Sequence, residues 1–296
     1  MTFSSSVTTK EISHRAYLPL HCPRCVIELP ANRTLVMGVL NVTPDSFSDG
    51  GRFYTPDQAI PRAMLMVEEG ADIIDIGGES SRPGGMPVSP QDEINRIVPV
   101  IEKVAKQTPI PISVDTYKAV VARAALDAGA QIINDITAMT SDPTMLPFAA
   151  KTGVPIILMH MLGTPLTMQT NPQYQNVISD IINYLNNAIL NAKKAGVKEE
   201  QIVIDPGIGF GKTLSHNLTI LHRLSEFLHL NRPILVGVSR KSFIGKILDL
   251  SVEQRLEGTA AAVAISVLKG AKIVRVHDVK EMVQVVKIAD AIRTSS

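Results

Sequence analysis

Eight short apolar runs, each followed by a longer stretch of helical pattern, constrain the fold of this 296-residue chain more than any other feature. The runs are expected as strands at 35–40, 72–76, 110–114, 131–133, 154–159, 201–204, 233–238 and 271–276. Most are near-continuously apolar rather than alternating, the pattern of parallel strands covered on both faces. The segments between them carry helix signals. Ser89 precedes Pro90, with Asp92 and Glu93 behind it: an N-cap, a proline suited to the first helical position, and acids near the positive helix end. Ile94, Ile97, Val98, Ile101 and Val104 then mark one helix face. Thr116 is expected to cap a helix through Leu126 that stops at Gly129. Ser251 with Gln254 reads as a capping box for a helix stopped by Gly270. Ile178, Ile181, Ile182, Leu185 and Ile189 define another helix ending near Gly196, and Pro61 falls inside a helix expected from Thr55.

Eight strand–helix units predict an α/β fold, a (β/α)8 TIM barrel of about 250 residues with a short N-terminal extension. A doubly wound open sheet is the alternative, but no glycine-rich fingerprint follows the first strand. No repeat, low-complexity tract or linker divides the chain. The expected division is an extension over 1–34, read as a hairpin closing the barrel floor, and a catalytic barrel over 35–296. With 45% apolar and 19% charged residues the chain is not disordered. Its 29 basic and 28 acidic residues give a charge of +1, without the basic excess expected of a nucleic-acid binder. Two cysteines, Cys22 and Cys25, make no disulfide framework and fit a reducing compartment. The start has no apolar signal region, and no run reaches the ~18 apolar residues of a membrane span. The expectation is a soluble, cytoplasmic protein with neither nucleic-acid nor membrane partners.

A barrel has one functional face, at the C-terminal ends of its strands. In order, the runs are followed by Asn41, Gly77-Gly78-Glu79, Asp115, Asn134-Asp135, His160, Asp205, Ser239-Arg240-Lys241, and Arg275 with His277. Loops are polar anyway, so one such residue means little. All eight converging on one mouth point to an enzyme or a small-molecule site. Asp115, Asn134 and Asp205 suit a flat heterocycle whose edge shows amino and N–H donors. Lys241, Arg275, His277 and Arg82 supply donors and positive charge for a phosphate or carboxylate. Asn41, a neutral oxygen ligand, suits a Mg²⁺ that keeps most of its waters and leans on substrate phosphates.

Two motifs fall short. The run Pro206-Gly207-Ile208-Gly209-Phe210-Gly211-Lys212-Thr213 ends like a P-loop, but Pro206 stands where the first glycine belongs. It reads instead as a tight loop presenting Asp205 and Phe210. His21-Cys22-Pro23-Arg24-Cys25 resembles half of a zinc site with no second ligand pair at a suitable spacing.

At these residues the chain resembles the dihydropteroate synthases, a pterin-binding TIM-barrel family. The likeness runs through Met37 to Gly51 and Asp75 to Gly84, then Ser113-Val114-Asp115-Thr116, Ile133-Asn134-Asp135-Ile136, Leu158-Met159-His160-Met161, Asp205 to Lys212, Ser239-Arg240-Lys241-Ser242 and Arg275-Val276-His277-Asp278. It implies a transferase of folate biosynthesis joining 7,8-dihydropterin-6-ylmethyl diphosphate to 4-aminobenzoate, with release of diphosphate. By similarity, Asp115, Asn134, Asp205 and Lys241 hold the pterin and Met159 lines its pocket. Asn41, with Mg²⁺, Arg275 and His277 take the diphosphate. Ser81, Arg82, Phe210 and Ser242 lie where the family receives aminobenzoate and its sulfonamide mimics. The loop after Asn41, carrying Asp45 and Phe47, is expected to be mobile and to close over the second substrate. A homodimer is implied, and the small-residue-rich stretch 258–268 suits close packing. One departure is Ser81, where the family usually has Thr; the lost methyl leaves the aminobenzoate pocket roomier.

Several residues keep plainer readings: Met159 as core filler, Asp135 as a buttress of a neighbouring loop, Arg240 as a structural ion pair, His160 as a satisfied core histidine, Glu79 as a loop anchor. Three other functions use part of the pattern. A corrinoid methyltransferase shares the pterin readers but has no need of both anion-binding motifs. A Schiff-base aldolase would use Lys241, which borohydride trapping would reveal. A silent pterin-binding subunit would bind pterin without releasing diphosphate.

Overall fold

The computed structural model describes residues 15–43 and 56–295. In chain order these form β1 (Leu20–His21), β2 (Val26–Ile27), β3 (Leu35–Asn41), α1 (Pro56–Glu68), β4 (Ile73–Gly77), α2 (Pro90–Gln107), β5 (Ile112–Asp115), α3 (Ala119–Ala128), β6 (Ile132–Asp135) and α4 (Met145–Thr152). They continue as β7 (Ile156–Met159), α5 (Val177–Lys194), β8 (Ile202–Asp205), α6 (Leu214–His222), β9 (Leu235–Val236), α7 (Ser242–Leu248), α8 (Leu256–Leu268), β10 (Ile273–Val276) and α9 (Val279–Thr294).

Strands β3 to β10 make one eight-stranded sheet in the order β8-β7-β6-β5-β4-β3-β10-β9. Every neighbouring pair is parallel. A single parallel bridge, Ile204 to Ile234, joins the two outer strands and closes the ring. The expected (β/α)8 barrel is therefore present. The strand run expected over 233–238 pairs regularly only at Leu235–Val236. The main core lies between sheet and helices, where Ile74, Ile76, Val114 and Leu158 meet Ile97, Ile101, Ile181 and Leu185. Inside the ring, a second cluster joins Leu20, Ile27 and Leu29 of the antiparallel hairpin β1–β2 and the chain just after it to Met37, Ile73, Ile132, Ile157, Val203, Leu235 and Ile273. Gln201 fastens this hairpin, accepting from the His21 N–H at 3.0 Å and donating to the His21 carbonyl at 2.6 Å.

Helix α2 starts as its sequence directs: the Ser89 hydroxyl accepts from the Asp92 N–H at 3.1 Å, and Pro90 opens the first turn. Helix α5 ends at Lys194, just before Gly196. Two expected starts are corrected. Helix α3 begins at Ala119, not at a Thr116 cap; the Thr116 hydroxyl closes a local turn on the Lys118 N–H (3.3 Å). The orphan Ala119 N–H is instead satisfied by Asp142, at 2.8 Å. Ser251 and Gln254 form no capping box. The Ser251 hydroxyl donates to Glu253 (2.8 Å), 252–254 is a 3-10 turn, and α8 starts at Leu256. Helix α1 runs through Pro61 unbroken, while its expected start at Thr55 lies outside the described residues.

Candidate active site

Barrel register gathers the polar strand ends. Asn41 pairs with Gly77, Gly77 with Asp115, and Asp115 with Asn134. Residues paired across neighbouring strands point to one face, so these side chains form a row along the inner rim of the mouth. Gly77 is the gap in that row: a Cβ there would stand 3.3 Å from the Asp115 Cβ, in the space the Asp115 side chain uses. Met159 pairs with Asp205 on the next two strands round the ring.

Arg275, projecting from β10, crosses to this row. Its Nε donates to Asp75 Oδ2 at 2.6 Å and its Nη2 to Asp115 Oδ2 at 2.7 Å. Asn134 Nδ2 donates to the same Asp75 oxygen at 3.1 Å. A cavity of about 500 Å³ opens above, lined by Asn41, Ser81, Arg82, Phe210, Lys241, Ser242, Arg275 and His277 among others. Asp115, Asn134, Met159 and Asp205 do not line it; they are buried. Over Asp115 the cover is the Arg275 guanidinium. Met159 packs with Ile136, Met161, Met168 and Phe210, and the last two also line the cavity, so this apolar cluster borders it. Lys241 holds its ammonium 4.0 Å from the centre of the Phe210 ring, a cation–π contact.

Burial and charge tune these groups. Burial, opposed by Arg275 and reinforced by Asp75, lifts Asp115 to about 7. Burial likewise raises Asp205 to about 6, against the pull of the Gly207 N–H, which donates to its Oδ1 at 2.7 Å, and of Lys241. Burial, with Arg275 nearby, lowers Lys241 to about 8. The same two causes hold His277 well below its usual value, so it is neutral. Its Nδ1 lies 2.9 Å from the Ser239 hydroxyl, which also accepts from the His277 N–H at 3.2 Å. A neutral imidazole fixed this way offers a hydrogen bond to an anion without adding charge.

The plainer readings hold for four residues. Arg240, at a left-handed φ of 57°, pairs with Asp278, its Nε donating at 2.9 Å. Asp135 Oδ1 accepts from the Thr137 N–H at 2.6 Å and its hydroxyl at 2.7 Å. His160 Nδ1 lies 2.9 Å from the buried Lys212 ammonium. Glu79 accepts from the Tyr117 hydroxyl at 2.6 Å. Residues 206–213 form the expected tight loop, not a phosphate cradle: Gly207, at a φ of 70°, would drive a Cβ to 1.9 Å from the His160 carbonyl oxygen. Asp45 and Phe47 lie outside the described residues.

Asn41 lines the cavity as a neutral oxygen donor, and among the described residues no group of three or more His, Cys, Asp or Glu side chains is placed to enclose a metal. One neutral oxygen beside Arg275 and His277 fits a Mg²⁺ carried largely by substrate phosphates and water, not a caged metal.

A model of the family described as "Pterin binding enzyme" matches residues 37–277. The dihydropteroate synthase of Escherichia coli K12 is 49% identical over 256 residues, covering 86% of this chain and 90% of that protein. The chain belongs to the dihydropteroate synthase family of pterin-binding enzymes. A Yersinia pestis dihydropteroate synthase in a sulfonamide drug complex superposes with a TM-score of 0.89, at 45% identity and over 94% of this chain and 100% of that one. A Xanthomonas albilineans member in complex with 7,8-dihydropteroate gives 0.84, at 38% identity over 94% of this chain and 100% of that one.

Residue-by-residue reading of the sequence passed over three members of the site. Asp75 is fully buried and joins Arg275 to Asn134; a lone carboxylate within an apolar parallel strand was its signal. Ser239, seen only as part of a polar strand end, fixes His277. Met168 lines the cavity from the loop after β7 with no sequence signal to mark it.

Proposed function

We propose that this chain condenses 7,8-dihydropterin-6-ylmethyl diphosphate with 4-aminobenzoate, giving 7,8-dihydropteroate and diphosphate in folate biosynthesis. One observation carries the reading: buried Asp115, in register with Asn134, accepts at 2.7 Å from Arg275, which lines a cavity with Lys241 and His277. The carboxylates and the Asn134 oxygen match the donor edge of a pterin, and Met159 with its apolar neighbours faces the flat ring. The cationic Arg275 and Lys241, with the neutral His277 as a hydrogen-bond donor, match a diphosphate. The relatives named for this activity, and the family structure holding dihydropteroate, support the assignment.

Arg275 spans both halves, and pterin entry requires its Nη2 to leave Asp115, which turns the guanidinium toward the diphosphate. Asn41 would hold Mg²⁺, which when bound neutralises part of the diphosphate charge. Aminobenzoate is a weak nucleophile, so cleavage of the C–O bond leads. Fixed carboxylates, Asp115 foremost, stabilise the positive charge spreading through the pterin. Arg275, Lys241 and His277 stabilise the departing anion. Ser81, Arg82, Phe210 and Ser242, all lining the cavity, receive aminobenzoate. The barrel that starts at residue 35 is the catalytic unit, and the described part of the extension, 15–34, is its floor. The exposed Ile265 and Leu268 of α8 and Ile288 and Ile292 of α9 support a homodimer, which sedimentation tests. No helix among the described residues is long and apolar enough to cross a membrane, and a cytoplasmic location accords with that.

The test is turnover. Asp115→Ala and Lys241→Ala should each lower dihydropteroate formation by about 100-fold or more with thermal unfolding retained. An Asp115→Ala protein of full activity would sink the assignment. Diphosphate exchange in the absence of aminobenzoate supports early C–O cleavage; sensitive trapping that never detects it favours concerted displacement.

A further inference from the structure

The stretch 80–87 carries Ser81 and Arg82 and is held by polar contacts: the Gly85 N–H closes a turn on the Arg82 carbonyl at 2.9 Å. It contains no regular element, and Met86, its one large apolar side chain, is 73% exposed. Apolar packing therefore does not set its position. Polar ties do: in its middle the Gly84 N–H donates to the Pro165 carbonyl at 3.0 Å, and a further set holds its two ends. Glu79, at its root, accepts from the Tyr117 hydroxyl through Oε1 at 2.6 Å and from the Val88 N–H through Oε2 at 3.0 Å. The Lys118 ammonium pairs with Glu79 and with Glu93 Oε2 (2.6 Å), and it donates to the Val88 carbonyl at 2.9 Å. Start and end of the stretch are thus both fastened to Lys118, and Tyr117 adds a second tie at the start. All three charged side chains are largely shielded, with 10% exposure for Glu79, 14% for Lys118 and 1% for Glu93. In such a setting removing one partner costs much more than at the surface.

Tyr117 gives this latch its reach. It stands two residues after Asp115, and its ring packs on the cluster of Ile136, Met159 and Phe210 that borders the cavity. One side chain therefore touches the pterin wall with its ring and holds the root of the Ser81–Arg82 loop with its hydroxyl. We propose that Glu79, Tyr117 and Lys118 are positioning residues that set the aminobenzoate loop against the pterin wall, and so govern affinity for the second substrate but not for the first. The proposal rests on the reading of Ser81 and Arg82 as aminobenzoate-binding.

Tyr117→Phe keeps the ring and removes only the bond to Glu79, and Glu79→Gln keeps the shape and removes the charge. Each should raise KM for 4-aminobenzoate about tenfold, the loss expected of a hydrogen bond to a charged group. The dissociation constant of the dihydropterin diphosphate should stay within about twofold. The double variant should lose less than the product of the two single effects, because both cut one tie. An unchanged KM for aminobenzoate, or equal weakening of both substrates, overturns the latch. Failure of the underlying reading shows separately, as a wild-type chain that forms no dihydropteroate. In that event amide exchange across 80–87 decides: faster exchange in Glu79→Gln supports the latch, and unchanged exchange overturns it.

Discussion

Arg275 donates its Nη2 to Asp115 Oδ2 at 2.7 Å, so the residue suited to grip a diphosphate lies across the carboxylate suited to grip a pterin. A pterin edge that takes the same Asp115 oxygen displaces this contact. Arg275→Ala should therefore separate the ligand's two halves. The hydroxymethyl dihydropterin, which lacks the diphosphate, should bind the variant at least as tightly as wild type, while the diphosphate ester should bind about tenfold or more weakly. Calorimetric titration with both ligands checks this; equal loss for the two would show that Arg275 serves the pterin ring instead.

The raised carboxylates give pterin binding a definite pH dependence. Burial lifts Asp115 to about 7 and Asp205 to about 6 in the unliganded chain. Below those values both carry protons that a donor-rich pterin edge displaces. Affinity should therefore rise as pH climbs from about 5 to about 7.5 and level off above, with net proton release on binding near pH 6. Titrations in buffers of different ionisation enthalpy measure that release. Affinity that falls over the same range would contradict the assigned donors and acceptors.

Gly207 should tolerate no side chain. Its φ is 70°, and an added Cβ would meet the His160 carbonyl oxygen at 1.9 Å. Gly207→Ala must displace backbone beside Asp205, whose Oδ1 accepts from the Gly207 N–H. A loss of at least about 2 kcal/mol is expected, together with weaker pterin binding. Urea unfolding reads the first and titration the second; a variant of native stability would mean that the 206–213 loop shifts freely.

Ser81→Thr adds the methyl that the resemblance to the family leads one to expect at the cavity wall, which Ser81 lines. One added methyl on an apolar contact is worth about 0.8 kcal/mol, so KM for 4-aminobenzoate should fall up to about fourfold. Steady-state kinetics settles it, and a higher KM would show that the wall has no room for the methyl.

Much of this arrangement was legible in the sequence because buried parallel strands are nearly all apolar, which leaves polar residues to mark their ends. Asn41, Asp115, Asn134 and Asp205 stood out for that reason. What escaped depends on register and closure. Asp75 lies inside its apolar run, and it meets Arg275 only because β10 pairs with β3, which pairs with β4. The α3 start failed similarly: Ala119 is capped by Asp142, beyond the helix and the following strand, where no local cap pattern reaches. The row from Asn41 to Asn134 likewise follows from the strand stagger, which the runs themselves do not encode.

One barrel mouth is proposed to cradle a pterin and to carry away its diphosphate. The most direct test follows both products in one reaction of the full chain with dihydropterin diphosphate, 4-aminobenzoate and Mg²⁺. The account predicts dihydropteroate and diphosphate in equal amounts, lost with a chelator and restored by added Mg²⁺. Pterin consumed without dihydropteroate, or no turnover of either substrate, would contradict it.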